Sequence, residues 1–222
     1  MDLMEAIRAR HSVRSYTDRP LEGEALAELR QCIDECNRES GLHIQLCLNE
    51  PEVFGGMLAR YGKFTGVRHY VALVGKKGPG QEDACGYYGE KVALRAQQLG
   101  LNICWVAGTY SKGKSKAVTA PGEKLFLVIS IGYGATQGTA HKNKPIDKLC
   151  QVEGEMPPWF QKGMEAAQLA PTAMNQQKFL FSLHGNRVAA APGTGMYTRI
   201  DLGIAKYHFA VAAGDADWAW EA

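Results

Sequence analysis

The stretch "LAPTAMNQQKFLFSL", residues 169–183, joins a segment with helical apolar spacing to one with strand alternation. Between the two stand a proline, small residues and three amides, Asn175, Gln176 and Gln177, with no acid, base, thiol or metal ligand. Such a composition reads as a loop. It offers a ligand amides and backbone groups rather than charge.

Upstream, "WFQKGMEAAQLAP" reads as an amphipathic helix; downstream, "KFLFSLHGN" alternates Phe179, Phe181 and Leu183 as a strand does. The same helix–loop–strand order occurs near the start of the chain. "EALAELRQCIDECN" places Leu26, Leu29, Ile33 and Cys36 at helical spacing, Gly41 follows, and "HIQLCLNE" alternates Ile44, Leu46 and Leu48. Gly203 and Gly214 have the spacing of Gly89 and Gly100, and a Trp follows each pair within a few residues. These matches point to an old internal duplication, with residues 1–150 as first half and 151–222 as a degenerate second half of a single unit.

The remaining elements read plainly. Asp2 and Glu5 form a capping pair for a short N-terminal helix carrying Leu3 and Ile7 to about Arg10. "HYVALVGKK" is a buried strand, "GYYGEKVALRAQQLG" a helix stopped by Gly100, and "LNICWVAG" a short extended segment. "KLFLVISIGYG" is a continuous apolar run that belongs at the centre of a sheet, and the basic loop "GTAHKNKP" comes next.

Composition removes several function classes. A net charge of +2 is too small for a general nucleic-acid binder. No run of about 18 apolar residues indicates a membrane span, and the charged start "MDLMEAIRARHS" leads us to expect a cytoplasmic protein. The six cysteines lack CxxC spacing and the six histidines lack HxxxH or HExxH spacing, so we expect buried thiols and no metal site. "GTYSKGKS", residues 108–115, matches the phosphate-loop formula, but only "KAVTA" separates Ser115 from Pro121. So short a segment leaves no room for the helix that makes that loop work. No GxSxG elbow is present, and no GxGxxG turn joins a strand to a helix.

"RARHSVRSY", residues 8–16, is the second informative stretch. In an extended segment Arg10, Ser12 and Arg14 project from one face and His11 and Val13 from the other. Two guanidiniums flanking a hydroxyl fit an anion clamp, and they equally fit a solvated, charged helix end.

Four motifs together resemble the FMN-dependent nitroreductase family. "RHSVRSYTDRPL" is similar to its RxSxRxF opening and "APTAMNQQKF" to its APSSxNxQPW segment. "GEKVALRAQQLGLNICWVAG" resembles its helix and GLGxxWxGG-like turn, and "ISIGYG…HKNKP" its closing strand and basic tail. One departure stands out. Ordinary members carry the amide-rich segment a few dozen residues after the first motif, and here it lies in the second half. Ordinary members are homodimers with FMN at the interface. The displaced segment resembles a branch in which one chain builds that interface within itself.

The resemblance implies an α+β, nitroreductase-like fold: a central mixed, mainly antiparallel sheet flanked by helices, arranged as an intrachain pseudo-dimer and expected to be a monomer. It implies an FMN-dependent oxidoreductase passing hydride from NAD(P)H, NADH or NADPH, to a nitroaromatic, quinone or similar acceptor, with no catalytic side chain. The alternative is a flavin-binding sensor or storage protein without turnover. For the cofactor site it implies Arg10, His11 and Ser12 with Lys142 and Lys144 at the phosphate and ribityl chain, and Arg14 near the pyrimidine edge. Val106, Ala107 and Gly108 should run along the ring, with Pro171, Thr172, Ala173, Asn175 and Gln177 reaching across from the second half. Trp105 fits a core position or a nicotinamide-stacking one.

Overall fold

The apolar run at residues 123–132 lies where its composition puts it, as a strand paired on both sides. In the computed structural model, which describes residues 1–221, β1 (Gln45–Cys47), β2 (His69–Lys76), β3 (Asn102–Val106) and β4 (Glu123–Gly132) form one sheet in the order β1-β2-β4-β3. Every pairing in it is antiparallel. Both faces are covered, which explains the unbroken apolar character of β2 and β4. Val71, Leu73, Leu127 and Ile129 join one core cluster and Tyr70, Ala72, Val74, Leu125 and Val128 another. A bulge between Leu73 and Val74 lets Leu125 and Leu127 face opposite sides.

The helices follow their sequence signals. α1 (Leu3–Ala9) is opened by a capping box: the Glu5 N–H donates to Asp2 and the Asp2 N–H to Glu5. α2 (Gly23–Ser40) and α4 (Gln81–Gln98) cover one face of the sheet with Leu29, Ile33, Val92 and Ala96. The other face is closed by the short α3 (Met57–Tyr61) and the turn before it, where Phe54, Phe64 and Tyr110 are buried.

A second sheet, β5 (Cys150–Val152), β6 (Phe179–His184), β7 (Arg187–Pro192) and β8 (Ala219–Trp220), runs in the order β5-β6-β7-β8. Here β6–β7 is antiparallel and the two outer pairs are parallel. The chain is therefore mixed α+β as expected, with an antiparallel sheet flanked by helices and, in addition, a second, mixed sheet. The 150/151 division falls inside β5, a strand of the second sheet. α5 (Pro158–Ala167) and α6 (Thr198–Ala213) pack on this sheet, where Phe160, Phe181, Phe209, Trp218 and Trp220 meet edge to face and stacked.

One core cluster runs through both sheets, from Leu29 and Val71 to Phe181 and Phe209. Its seam is the crossing of α4 and α6. A Cβ on Gly86 would collide with the Ile200 carbonyl oxygen, and a Cβ on Gly203 with that of Asp83. The two backbones touch, which only glycine at both positions permits. We expect Gly203→Val to destabilise the protein by about 3 kcal/mol, the upper range for overpacking. Gly113→Ala, where an added Cβ meets nothing, should change stability by less than about 0.5 kcal/mol. Urea unfolding midpoints check both.

Candidate functional site

A cleft of about 660 Å³ opens between the β3 end of the first sheet and α6 with the turn at residues 171–174, within the ordinary ligand-pocket range of about 300–1,000 Å³. One wall is the end of β3 and the residues after it: Trp105, Val106, Ala107, Gly108 and Thr109. The opposite wall is Pro171, Thr172, Ala173 and Met174 together with Ile200, Asp201 and Ile204 of α6. Ser12 and Arg14 enter from the N-terminal segment, which Ser12 docks on β3 through a parallel bridge to Ile103. Residues distant in sequence thus share one concave surface.

Local structure explains the β3 wall. β3 is the last strand of its sheet, so its outer edge is unpaired beyond the Ile103 contact. Among the described residues, neither the Ala107 nor the Gly108 N–H has a hydrogen-bond partner in the protein. A Cβ on Gly108 would face open space. Trp105 is fixed from behind: its Nε1–H donates to Glu90 of α4 at 2.8 Å. The indole packs so closely over Gly89 that a Cβ there would sit 2.6 Å from it. Trp105 thus lines the cleft as part of the packed wall, with its polar atom turned inward.

The structure brings together Ser12, Arg14, Val106, Ala107, Gly108, Pro171, Thr172 and Ala173, and places the other six expected residues elsewhere. Arg10 is 2% exposed, with Nε 3.6 Å from Glu90 Oε1, and does not line the cleft. It caps α1, so its side chain leaves toward α4 rather than along the Ser12 face. Among the described residues its Nε and Nη1 are buried without an acceptor. Arg10 and His11 line a smaller cavity of about 50 Å³ with Arg8, His141 and Asn143. Burial and then the Arg10 charge hold His11 below the ordinary histidine pKa.

Asn175 and Gln177 turn to the basic loop instead of the cleft. Asn175 Nδ2 and Gln177 Nε2 each donate to the Lys142 carbonyl at 2.8 Å, and the Lys144 N–H donates to Gln177 Oε1 at 2.8 Å. Lys144 Nζ returns to the Gln176 and Gln177 carbonyls at 2.8 and 3.0 Å. Positive φ at Met174 (51°), Asn175 (52°) and Gln177 (43°) produces this turn. Non-glycine residues rarely hold such angles outside a constrained site. The amides clamp the two loops together, and Pro171, Thr172 and Ala173 are left to line the cleft.

Asp201 escaped the sequence reading. It lies in the first turns of an apolar helix, where an acid passes for a surface residue, yet it is buried in the cleft wall. Its Oδ1 accepts from the Ala173 N–H at 2.9 Å and its Oδ2 from Gln176 Nε2 at 2.7 Å. Burial raises its pKa to about 6 despite those bonds. Glu90 and His208, buried 2.9 Å apart, were also missed, because a contact made only in the folded chain leaves no spacing signal. Among the described residues no cluster of His, Cys, Asp or Glu could hold a metal ion, and no helix is long and apolar enough to cross a membrane. From Ser115 the chain runs to β4 without an intervening helix.

The cleft thus lies in a mixed α+β protein beside the free edge of β3, with N–H groups of Ala107 and Gly108 left open. The chain belongs to the family described as "Putative TM nitroreductase", whose model matches residues 2–213. It is similar to a "putative nitroreductase" from Thermotoga maritima at 22% identity and TM-score 0.67, over 96% of this chain and 83% of that one. A "putative nitroreductase in complex with fmn" from Desulfovibrio desulfuricans aligns at 18% identity and TM-score 0.56, over 71% and 99%. A "Putative NADH dehydrogenase/NAD(P)H nitroreductase" from Parabacteroides distasonis aligns at 20% and 0.51, over 66% and 95%. No curated protein sequence matches the chain.

Because the folded Asp201 binds its proton more tightly than an unfolded aspartate (ordinary pKa about 3.9), its ionisation costs stability as pH rises from about 4 to about 6. Asp201→Asn should remove that part of the pH dependence. Denaturant midpoints of the two proteins should therefore diverge in favour of the variant between pH 4 and pH 6.5.

Proposed function

We propose that the chain is an FMN-dependent oxidoreductase that takes hydride from NADH or NADPH and passes it to an aromatic acceptor, such as a nitroaromatic or quinone, in two half-reactions. The observation that carries this reading is the convergence of Ser12, Arg14, Val106, Ala107, Gly108, Pro171, Thr172 and Ala173 on one cleft. Family membership and the FMN-bound Desulfovibrio relative support it.

The residues present fit the cofactor. The free Ala107 and Gly108 N–H groups match the nitrogen and carbonyl edges of a flavin ring, and the missing Cβ of Gly108 leaves room for close approach. The backbone of Pro171, Thr172 and Ala173 covers the opposite side. Ser12 serves the ribityl chain. The phosphate falls to His11, Lys142 and Lys144, with Arg10 behind them keeping donors unfilled. Asn175 and Gln177 belong to this site at one remove, by holding the basic loop that carries the two lysines.

The flavin, when bound, supplies the hydride chemistry, and the chain supplies binding, orientation and charge. Arg14 provides a cation in the cleft that stabilises a reduced, anionic ring. No side chain need form a bond to substrate, which accounts for the lack of any nucleophile–base pair among the cleft-lining residues.

We also propose that the two halves form a pseudo-dimer and that the chain is a monomer. Supporting this are the repeated helix–strand order and the matched glycine spacing of α4 and α6. Their backbone-to-backbone crossing is as close as a packed interface would need. Light scattering should give the mass of one chain.

The purified protein should be yellow, release FMN on denaturation and bleach anaerobically with NADH or NADPH. A colourless protein that takes up no FMN contradicts the reading, and a yellow protein that neither donor reduces favours a flavin-binding protein without turnover. Gly108→Val should weaken FMN binding at least about tenfold, 1.4 kcal/mol, with an unchanged unfolding midpoint. Arg14→Ala should lower the two-electron flavin potential by about 30 mV, the equivalent of about 1.4 kcal/mol.

A further inference from the structure

Three of the large apolar side chains exposed on this protein line the cleft. Tyr61 (85% exposed), Met174 (86%) and Met196 (66%) line it, and Met57 and Leu58 precede Tyr61 on α3. Single exposed apolar residues are ordinary, whereas a cluster around a cavity marks a binding surface.

The three lining residues stand on fixed backbone. The Met196 carbonyl accepts from Gln176 Nε2 at 2.9 Å, and the same amide holds Asp201. Beside Met174, the Asn175 N–H donates to the Thr172 carbonyl at 3.0 Å and the Asn175 side chain to Lys142. The helix end under Tyr61 is closed by Gly62 N–H to Leu58 and by Phe64 N–H to Ala59, with the Phe64 ring buried. Lys63, Met174 and Tyr197 hold left-handed backbone around the same opening, a conformation that bulky residues adopt only under local constraint. The backbone is held in place, and the apolar side chains are left facing solvent.

We propose that this rim is a subsite for an uncharged aromatic acceptor bearing an extended apolar substituent, with the ring inside the cleft and the substituent against Tyr61, Met174 and Met196. The proposal rests on the oxidoreductase reading and narrows its acceptor. The three side chains themselves carry no charge. Arg14 is committed to the flavin ring, and Lys63, two residues from Tyr61, is the cation left at the opening for the phosphates of a nicotinamide donor, which the apolar side chains would not bind. Methionines suit substituents of variable shape, since their thioether chains adapt to what they contact.

Isothermal titration of the full-length, flavin-bound protein, with no donor present, tests this. The probes are 1,4-naphthoquinones carrying a 2-methyl, 2-pentyl or 2-nonyl chain. Dissociation constants should fall at least about tenfold from methyl to pentyl, as expected for methylenes leaving water. The double variant Tyr61→Ser, Met196→Ser alters only exposed side chains. It should keep its unfolding midpoint and its affinity for the methyl homologue while flattening the chain-length gradient to under about twofold. No gradient in the wild type, or an undiminished gradient in the variant, overturns the proposal. A matched loss of affinity for NADP⁺ in the variant also overturns it, because the rim would then serve the donor. The gradient is read equally on protein without flavin, so a colourless protein defeats the cofactor reading without deciding this one.

Discussion

Everything in this molecule depends on how closely α4 and α6 approach. With glycine at Gly86 and Gly203, each helix backbone rests against a carbonyl of the other. The carbonyl that meets Gly86 belongs to Ile200, whose side chain lines the cleft, and Asp201 and Ile204 line it with Ile200. Three residues further along α4, Gly89 admits the Trp105 indole and so fixes the β3 end of the opposite wall. Cleft width is therefore set by helix spacing. A side chain at the crossing would push the walls apart before it touched any ligand.

The same seam carries a buried charge cluster. Glu90 accepts from Trp105 Nε1 at 2.8 Å, lies 2.9 Å from His208 Nε2, and faces Arg10. His208 Nδ1 lies 3.0 Å from the Ala166 carbonyl oxygen, so both ring nitrogens face an acceptor of the protein. Charged groups persist in an interior only when paired, and here the pairing joins the end of α1, α4, α6, the C-terminal part of α5 and β3. Arg10 thus anchors the opening motif to the centre of the protein. Ser12 and Arg14, further along the same segment, reach the cleft from that anchor.

Much of this was legible in the chain. The capping pair at Asp2 and Glu5, the central position of the run from Lys124, and the helix stopped near Gly100 follow from local chemistry that packing did not override. By contrast, α2 runs on to Ser40 through residues read as a loop, with Gly41 as its left-handed cap. Contributions from both ends to one cleft were readable from the displaced amide segment. The faces of short segments were not. Alternation placed Arg10 beside Ser12, but a residue at a helix end follows the helix, and Glu90 drew its guanidinium inward. Asn175 and Gln177 were expected to face a ligand; their positive φ turns them toward Lys142 and Lys144. β7 was missed because an alanine-rich run has little apolar alternation. β5 and β8 are too short to carry a pattern. Asp201, Glu90 and His208 gain their roles only from tertiary burial.

The central claim is that one chain encloses the flavin ring between its own two halves. The most direct measurement is a crystal structure of the protein with FMN. The account predicts the ring against Val106, Ala107 and Gly108 on one side and Pro171, Thr172 and Ala173 of the same chain on the other. A ring bound between two copies of the chain, or touching one half alone, would contradict it.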